Sequence, residues 1–382
     1  MKRRNMLTSL LLLIFTLSAL GLDFSSATPR KVLLADFCAQ NQTPTGGFTD
    51  TINGTAEEIT EFTTYSNVYV LSIVDPEFEK ISTDLSLTKN WFADKVDLFI
   101  EGNNRIPEMV YAFEGALLTN GSIEDLSADG AFGKIKNFQS STDNGFAGGE
   151  SIESNVIDTA FAVKFFNLTD TMSALPSTTD ATKIANFLIS CYDASTGAFK
   201  GSPTGFESLI DTYFALDALN ILGQMDLVDE TMKTAIASYV EANYISESDN
   251  LRHYGGYSLT TTNVQSSLMA TFYSVSILDL IGSETHPETL SWVLDRQNPL
   301  DYGFSDYSDQ STLPSSAKLS YYAVSTIQIL DSEAFSDSRS AVMNEEKWEI
   351  ESNGWVIAAI WIGSIGLIVV VGILVYKYKN RI

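Results

Sequence analysis

Histidine, cysteine and positive charge are scarce in this sequence. The 382 residues include two histidines and two cysteines, and 23 Lys and Arg stand against 48 Asp and Glu. Neither His253 nor His286 has a cysteine or a second histidine at metal-ligand spacing, so we expect no metal site and no cofactor. The net charge of −25 at pH 7 repels phosphate backbones, which argues against a nucleic-acid partner.

Long apolar runs without charge are confined to the two ends of the chain. The 22 residues at 355–376 are uncharged, and as a helix they measure about 33 Å, enough to cross a hydrocarbon core of about 30 Å. Lys377, Lys379 and Arg381 follow at once, and such residues stay on the cytoplasmic side. We predict a single-pass cell-membrane protein with one transmembrane helix, membrane lipid around it, an extracellular ectodomain and a cytoplasmic tail at 377–382.

The N-terminus has the parts of a secretory signal. Three basic residues at 2–4 precede an uncharged, Leu-rich run at 6–22, and small residues offer a cleavage site after Ala27 or, equally, near Gly21. We predict a signal peptide at 1–27. The alternative is an uncleaved signal anchor, because a run of this length is at the lower limit for spanning a bilayer. Either reading leaves the ectodomain outside.

Between these ends lies an acidic ectodomain. Residues 28–354 carry a net charge of −30, which is typical of a solvated acidic surface. Residues 333–354 are polar and acidic, and we predict a stalk there between the folded domain and the membrane. N-x-S/T sequons predict a glycoprotein with exposed sugar-bearing positions. The sequons are Asn41, Asn53, Asn120 and Asn167.

A glycine followed by an aromatic residue recurs along the ectodomain. The aromatic residues are separated by 98, 53, 58 and 47 positions. The first gap equals two periods, with a degenerate repeat near residues 101–103, so the sequence contains six units. A fixed period of this size indicates stacked supersecondary units that share one core. The motifs are Gly46-Gly47-Phe48, Gly145-Phe146, Gly197-Ala198-Phe199, Gly255-Gly256-Tyr257 and Gly303-Phe304.

Each unit has the pattern of a helical hairpin. An amphipathic helix precedes the glycine, as at 184–191, where apolar residues fall at i, i+3, i+4 and i+7. A helix that is apolar almost all round follows it, as at 206–222, 267–281 and 319–330. A helix without a polar face must be buried on both sides. We therefore predict an all-α fold, an (α/α)6 toroid over 28–332, in which six hairpins close into a ring.

The glycine and the aromatic residue have structural roles in this prediction. Glycine permits the positive φ at which the outer helix ends, and the aromatic ring tucks under the hairpin. Cys38 and Cys191 fall at equivalent positions three units apart, on opposite sides of a six-fold ring. A disulfide needs Cα atoms within about 7 Å, so we predict two free, buried thiols.

The repeat resembles that of the prenyltransferase and squalene-cyclase (terpenoid cyclase) superfamily. The segments that carry the resemblance are Gly255-Gly256-Tyr257 with Ala270-Thr271-Phe272-Tyr273, and Gly197-Ala198-Phe199-Lys200-Gly201-Ser202-Pro203 with Asp211-Thr212-Tyr213. The resemblance covers about residues 30–332 and implies a toroid with a central, aromatic-lined cavity. It does not by itself imply an activity, because function lies in the site.

The catalytic residues of that superfamily are not retained. Its protein prenyltransferases bind zinc through D-x-C and a later histidine; Asp211 matches, but Tyr213 replaces the cysteine and Ala270 the histidine. Its cyclases use D-x-D-D, and the matching stretch keeps Asp158 but has Ile157 at the proton donor's position. The resemblance therefore leaves Asp158 and Asp211 as catalytic candidates and favours a chain that is not an enzyme.

Some tyrosines of the inner helices must face the axis of the toroid. Tyrosine hydroxyls there favour an amphipathic or sugar ligand over pure hydrocarbon. We take Tyr213, Tyr273 and Tyr322 as ligand-binding candidates, with His253 and Asp301 on the loops.

Two functions follow. The first is a non-catalytic surface module that binds a ligand or an envelope protein. The alternative is an extracellular enzyme that uses the axial cavity on an isoprenoid lipid or a polysaccharide.

Overall fold

A computed structural model describes most of the residues from 28 to 347. The predicted signal peptide, transmembrane helix and tail lie outside this range. Within it, no helix is both long and apolar enough to cross a membrane. The residues between 28 and 347 that are not described are 82–84, 103–104, 150–152, 172–177, 251, 307–313, 337 and 339–340.

Outer and inner helices alternate along the described chain. The outer helices are α1 Arg30–Gln40, α3 Leu85–Glu101, α5 Ala128–Asn137, α7 Thr178–Ser190, α9 Glu230–Glu241 and α11 Glu288–Leu294. The inner helices are α2 Glu61–Val74, α4 Ile106–Leu118, α6 Val156–Leu168, α8 Leu209–Ile221, α10 Leu268–Ile281 and α12 Ala317–Leu330. Each inner helix packs against the next, and α12 packs against α2. The predicted ring of six hairpins is therefore confirmed.

Burial explains why the two sets differ in composition. Eleven of the fourteen residues of α10 are buried, since this helix contacts α8, α12 and its own outer helix. In α9, only Ile236 and Val240 are fully buried. A few further apolar side chains are half-buried against the core, and the outward face of the helix is exposed. The inner helices thus bury apolar residues on all sides, as the sequence predicted.

One predicted helix boundary is wrong. Phe206 was expected at the start of the fourth inner helix, but its side chain is 90% exposed in the preceding loop. Helix α8 begins at Leu209 because the Ser208 side chain accepts a hydrogen bond from the Asp211 N–H and caps the helix.

Two short antiparallel strand pairs accompany the helices. β2 (Tyr192–Asp193) pairs with β3 (Ala198–Phe199) at the glycine turn of the fourth hairpin. β1 (Thr28–Pro29) pairs with β4 (Glu346–Lys347), with Thr28 opposite Lys347.

The predicted stalk at 333–354 does not leave the toroid at its first residue. Ala334 and Met343 are fully buried, and residues Val342–Asn344 form a 3₁₀ turn that leads into β4. The turn that contains Met343 contacts α1, and both buried residues belong to the apolar core of the domain. The folded unit therefore continues to residue 347.

The glycine motif places a left-handed residue before each buried ring. Gly46, Gly197 and Gly255 have φ of 92°, 78° and 95°, while Asn144 and Tyr302 take the same position in the third and sixth hairpins. Gly145 and Gly303 therefore have a different role from the one predicted. A Cβ on Gly303 would lie 2.7 Å from the ring of Phe37, so glycine is needed there for space. The five aromatic residues are fully buried, as predicted; they are Phe48, Phe146, Phe199, Tyr257 and Phe304.

A hydroxyl on the inner helix holds each buried ring in place. The backbone N–H of Phe199, for example, donates to Thr212 Oγ1 at 3.0 Å. This hydroxyl always belongs to the fourth residue of the inner helix, so a buried N–H is satisfied at every such turn. The five bonds are Phe48 to Thr64, Phe146 to Thr159, Phe199 to Thr212, Tyr257 to Thr271 and Phe304 to Ser320.

The two cysteines are free and fully buried, as the repeat register predicted. Burial raises the pKa of the Cys191 thiol to about 12, and it raises that of Cys38 as well.

Candidate functional site at the toroid axis

Aromatic side chains fill the axis between the inner helices. They leave a cavity of about 20 Å³ for the centre of a water-sized sphere, which is room for roughly one water molecule. Ala160, Lys164 and Asp217 also line this cavity. The aromatic residues that line it are Phe62, Tyr111, Phe161, Tyr213, Phe214, Phe272, Tyr273, Tyr321 and Tyr322.

The rings contact one another in tilted or edge-to-face pairs. The centroids of Phe62 and Tyr111 are 4.7 Å apart, and those of Tyr111 and Phe161 are 5.0 Å apart. Across the ring closure, Tyr69 meets Tyr321 at 4.9 Å. Such pairs stabilise a core beyond their buried area. Burial also raises the pKa of the Tyr111 and Tyr321 hydroxyls well above the ordinary value, so these groups stay neutral.

A polar residue follows the cavity-lining ring by three positions on five of the six inner helices. Residues at i and i+3 share one face of a helix, so these side chains form a second layer one turn further along the axis, which we call the polar layer. Each is the ninth residue of its helix, as Tyr69 is in α2. The pairs are Tyr111 and Glu114, Phe161 and Lys164, Phe214 and Asp217, Tyr273 and Ser276, and Tyr322 and Ser325.

Charges in the polar layer interact directly. Lys164 Nζ lies 3.0 Å from Glu114 Oε1, and both side chains are mostly buried. Burial lowers the pKa of Lys164, but Glu114 and Asp217 outweigh it and raise that pKa above the ordinary value. The pKa of Asp217 is raised by burial and by Glu114, against the opposing effect of Lys164. Two carboxyl groups and one ammonium group therefore influence one another's pKa in this layer.

The structure brings three of the five predicted ligand-binding residues together. Tyr213, Tyr273 and Tyr322 line the cavity. His253 does not: it is buried in a loop, where its Nδ1 lies 3.0 Å from Ser266 Oγ and accepts the Ser266 N–H at 3.2 Å. Burial and two neighbouring arginines lower the pKa of His253, which keeps the ring neutral.

Asp301 also lies away from the cavity lining. Its carboxylate accepts the backbone N–H of Ser315 at 2.9 Å and the hydroxyl of the same residue. These bonds hold the turn of the sixth hairpin against the start of α12, so Asp301 has a structural role there.

Comparison with known proteins shows which family the chain belongs to. The family model of the prenyltransferase alpha-alpha toroid domain matches residues 3–170, 98–305 and 167–351. The chain belongs to this family. No curated protein sequence matches it.

Solved structures of prenyltransferase-type toroids resemble the chain in fold. Protein geranylgeranyltransferase-I of Candida albicans, complexed with GGPP, is 13% identical, with a TM-score of 0.61 over 83% of this chain and 96% of that one. A type II terpene cyclase variant from Scytonema, in complex with its product merosterolic acid A, is 12% identical, with a TM-score of 0.52 over 78% of this chain and 95% of that one. A second, ligand-free variant of that cyclase is 13% identical, with a TM-score of 0.51, covering 79% and 95%. Identities this low show the fold alone.

The two aspartates that match a prenyltransferase motif (Asp211) and a cyclase motif (Asp158) lie at helix starts. Asp158 and Asp211 are each the third residue of an inner helix. Asp158 Oδ2 accepts the N–H of Gly148 at 2.9 Å and the Asn155 amide at 2.6 Å. Asp211 Oδ2 accepts the Ser208 hydroxyl at 2.5 Å, and burial raises its pKa. Neither carboxylate belongs to the cavity lining.

The sequence contains a D-x-C tripeptide at a different position, Asp36-Phe37-Cys38. It lies in outer helix α1 with Cys38 fully buried, whereas Asp211, which matches the family's zinc-binding aspartate, lies in inner helix α8. Within the part of the chain that the structure describes, no three His, Cys, Asp or Glu side chains are grouped so as to hold a metal ion.

The predicted glycosylation positions divide into two groups. Asn53, Asn120 and Asn167 are exposed. The Asn41 side chain is buried and donates to Asn67 Oδ1 at 3.1 Å, so this position does not meet the exposure that a glycan needs.

Glu114, Lys164 and Asp217 are the site residues that the sequence analysis missed. A signal for them exists, because each follows an inner-helix aromatic residue by three positions. That signal becomes visible only when the six inner helices are aligned by register.

Proposed function

We propose that this protein is a cell-surface, single-pass membrane protein whose toroid acts as a non-catalytic binding or scaffold module. The observation that carries the proposal is the filled axis. Nine aromatic side chains reduce the cavity to about 20 Å³, whereas a drug-sized ligand needs a pocket of about 300 Å³ or more. A polyprenyl chain or a sugar ring has no room there.

The hydrogen bonds of the two family-motif aspartates support the same proposal. Asp158 and Asp211 are engaged at the starts of α6 and α8, and the positions of the family's cysteine and histidine hold Tyr213 and Ala270. A carboxylate that stabilises a helix start is not poised to protonate an alkene or to hold zinc.

Surface placement is supported by the sequence at both ends. The apolar run at 355–376, followed by basic residues, suits an anchor with its tail inside. The signal at 1–27 suits export, and cleavage after Ala27 leaves the described domain intact from Thr28. Glycans at Asn53, Asn120 and Asn167 suit the exposure of these side chains.

The test of placement uses the full chain in intact cells, with one epitope tag inserted after Asp249, which is exposed, and another at the C-terminus. We expect externally added protease and a membrane-impermeant antibody to reach the tag after Asp249 and not the C-terminal tag. The reverse pattern, or protection of both tags, overturns the surface placement.

The test of catalysis incubates the detergent-solubilised full chain with geranylgeranyl diphosphate and peptide thiols, and separately with linear polyprenyl substrates. We expect mass spectrometry to show no product above the buffer control. Turnover that is retained in Asp249→Asn and lost in Asp217→Asn or Asp211→Asn overturns the non-catalytic proposal.

One observation favours the alternative, an extracellular enzyme acting on an isoprenoid. Among the described residues that line the cavity, Asp217 alone carries a carboxyl group. This side chain lies among aromatic rings, and burial raises its pKa. A carboxyl group whose pKa is raised in such surroundings suits proton transfer to an alkene. The alternative requires the aromatic rings to rotate outward when substrate enters, and the turnover assay decides between the two.

A further inference from the structure

His253 joins the two ends of the loop at residues 252–266 in the fifth hairpin. Its side chain is 8% exposed. Nδ1 accepts the backbone N–H of Ser266 at 3.2 Å and lies 3.0 Å from the hydroxyl of the same residue. Ser266 directly precedes Ser267, whose side chain caps inner helix α10. The imidazole therefore fixes the loop against the start of this helix.

The hydrogen bond from Ser266 requires a neutral imidazole. A protonated ring carries a hydrogen on both nitrogens and has no acceptor left. Protonation of His253 would place the Nδ1–H against the Ser266 N–H, so that two donors would face each other. The buried backbone N–H would then lose its partner, which the closed loop cannot replace without moving.

The charged groups that act on His253 are both positive. Arg252 adjoins it in the loop, and Arg296 of α11 is buried with its guanidinium carbon 4.9 Å from the centre of the Trp292 ring. Burial and these two arginines lower the pKa of His253. A third positive charge at this place would be repelled by the other two.

The carboxylates of the neighbouring elements have other partners. Glu288 hydrogen-bonds the Tyr254 side chain, and Asp306 accepts the N–H of Leu268 and interacts with Arg296. Neither carboxylate is among the groups that shift the pKa of His253. The closed loop therefore offers an imidazolium no compensating negative charge from these two residues.

The same loop covers an indole of the outer layer. A Cβ on Gly256 would lie 2.7 Å from the Trp292 ring, and the Trp292 indole N–H donates to the Arg252 carbonyl at 3.0 Å. Trp292 is buried in this arrangement. Opening of the loop would uncover the indole and remove its acceptor.

We propose that His253 is an acid-sensitive latch: the neutral imidazole holds the loop at 252–266 closed, and its protonation opens the loop and uncovers Trp292. The ordinary histidine pKa is about 6.5, and the closed loop binds the proton more weakly than the open loop. Closure is therefore fully favoured above that pH and weakens as pH falls from there toward the lowered pKa of the closed state. The inference goes beyond the proposed surface function and does not depend on where the toroid lies.

The first experiment compares hydrogen exchange in two hairpins of the full chain in detergent, at pH 7.5 and pH 5.0. The reporter is the Ser267 N–H, which donates to the Tyr257 carbonyl at 3.0 Å, and the reference is the equivalent Ser208 N–H, which donates to the Phe199 carbonyl at 3.2 Å. After correction for the intrinsic exchange rate at each pH, we expect the protection of Ser267 to fall about tenfold in acid. The protection of Ser208 should change little. Equal changes in the two hairpins overturn the proposal.

Variants of the two histidines assign the effect to one side chain. His253→Asn keeps an acceptor near the position of Nδ1 and does not titrate in this range, so the protection of Ser267 should become independent of pH. His286→Asn is the matched control, because the His286 side chain is 33% exposed and pairs with Glu241 instead, and it should keep the tenfold change. A change that persists in His253→Asn, or one that disappears in His286→Asn, overturns the proposal. The comparison of the two hairpins in the unmodified chain decides the matter if His253→Asn does not fold.

Discussion

The hydroxyl of Ser316 donates to both carboxylate oxygens of Asp50, at 2.9 and 3.0 Å, across 266 residues of sequence. Asp50 follows the first buried aromatic residue, and Ser316 caps the last inner helix. The carboxylate also accepts the Lys318 N–H at 3.1 Å, and the Asp50 carbonyl accepts the Ala317 N–H at 2.8 Å. The first and last hairpins are thus joined at the loop end of the toroid. Asp306 repeats the arrangement by accepting the N–H of Leu268 at 2.7 Å.

Removal of the Asp50 carboxylate should weaken this closure. We expect Asp50→Ala to lower the free energy of unfolding by about 2 kcal/mol, because hydrogen bonds to a charged group contribute roughly 1.5–3 kcal/mol. Chemical denaturation of the full chain measures the change. Asp249→Ala, at an exposed position, is the control, and equal midpoints for the two variants would contradict the closure role.

The hydroxyl that holds each buried ring can be tested at Thr212. Thr212→Val keeps the shape of the side chain but leaves the buried Phe199 N–H without its acceptor. A loss of about 1–3 kcal/mol in the free energy of unfolding is expected. Thr212→Ser keeps the hydroxyl and should lose less. If serine and valine are equally destabilising, packing rather than the hydrogen bond explains the threonine.

Two glycines with left-handed backbone conformation allow the cost of backbone strain to be measured separately from the cost of steric crowding. Gly46 and Gly223 both have positive φ, but a Cβ on Gly46 would lie 2.3 Å from the Leu87 carbonyl oxygen, while one on Gly223 meets nothing within 4 Å. Gly223→Ala should cost about 1–2 kcal/mol from the left-handed conformation alone. Gly46→Ala should cost clearly more, since the start of α3 must move. Denaturation midpoints of the two variants compare the costs directly, and similar values would refute the crowding.

Buried carboxyls should make the folded state more stable in mild acid. Burial raises the pKa of Asp211, Asp217 and Asp306, so between the ordinary aspartate pKa and the raised values the folded state binds more protons than the unfolded state. Stability therefore falls as pH rises through this window and stays lower above it. Asp217→Asn should raise the unfolding midpoint at pH 7 and reduce its dependence on pH. A steeper dependence in the variant would reverse the sign of the argument.

The two thiols should be unreactive until the protein unfolds. Cys38 and Cys191 are fully buried, and burial raises the pKa of both thiols, so the reactive thiolate is rare at neutral pH. A thiol reagent is expected to modify neither cysteine in the native protein and both in denaturant without reductant. Fewer than two reactive thiols after unfolding would indicate a disulfide.

The repeat pattern predicts the fold because it is a local signal. In the five hairpins that carry the motif, the glycine lies in the turn directly before a buried aromatic residue, and helices apolar on all sides must be inner ones. Boundaries were less accurate: Phe206 lies in a loop, and the segment after residue 333 packs on the domain. Both outcomes depend on which other segments of the fold these residues contact, and the composition of the sequence does not give those contacts.

The axial site was predicted in part, since tyrosines on inner helices must include some that face the axis. His253 and Asp301 do not line the cavity, because nearness to a glycine loop does not determine where a loop side chain points; their role in ligand binding stays a prediction. The contacts of Glu114, Lys164 and Asp217 depend on the register between neighbouring helices, which the packing of side chains sets.

The sequence by itself determined that six helical hairpins close into a ring, because the turn motifs and the periodicity of apolar residues are local patterns that can be recognised in the sequence. Only the tertiary structure decided that the axis is filled rather than open, and that three charges share one depth beneath the rings. Those properties arise from how side chains of different helices meet, and residues brought together by ring closure, such as Asp50 and Ser316, are distant in sequence.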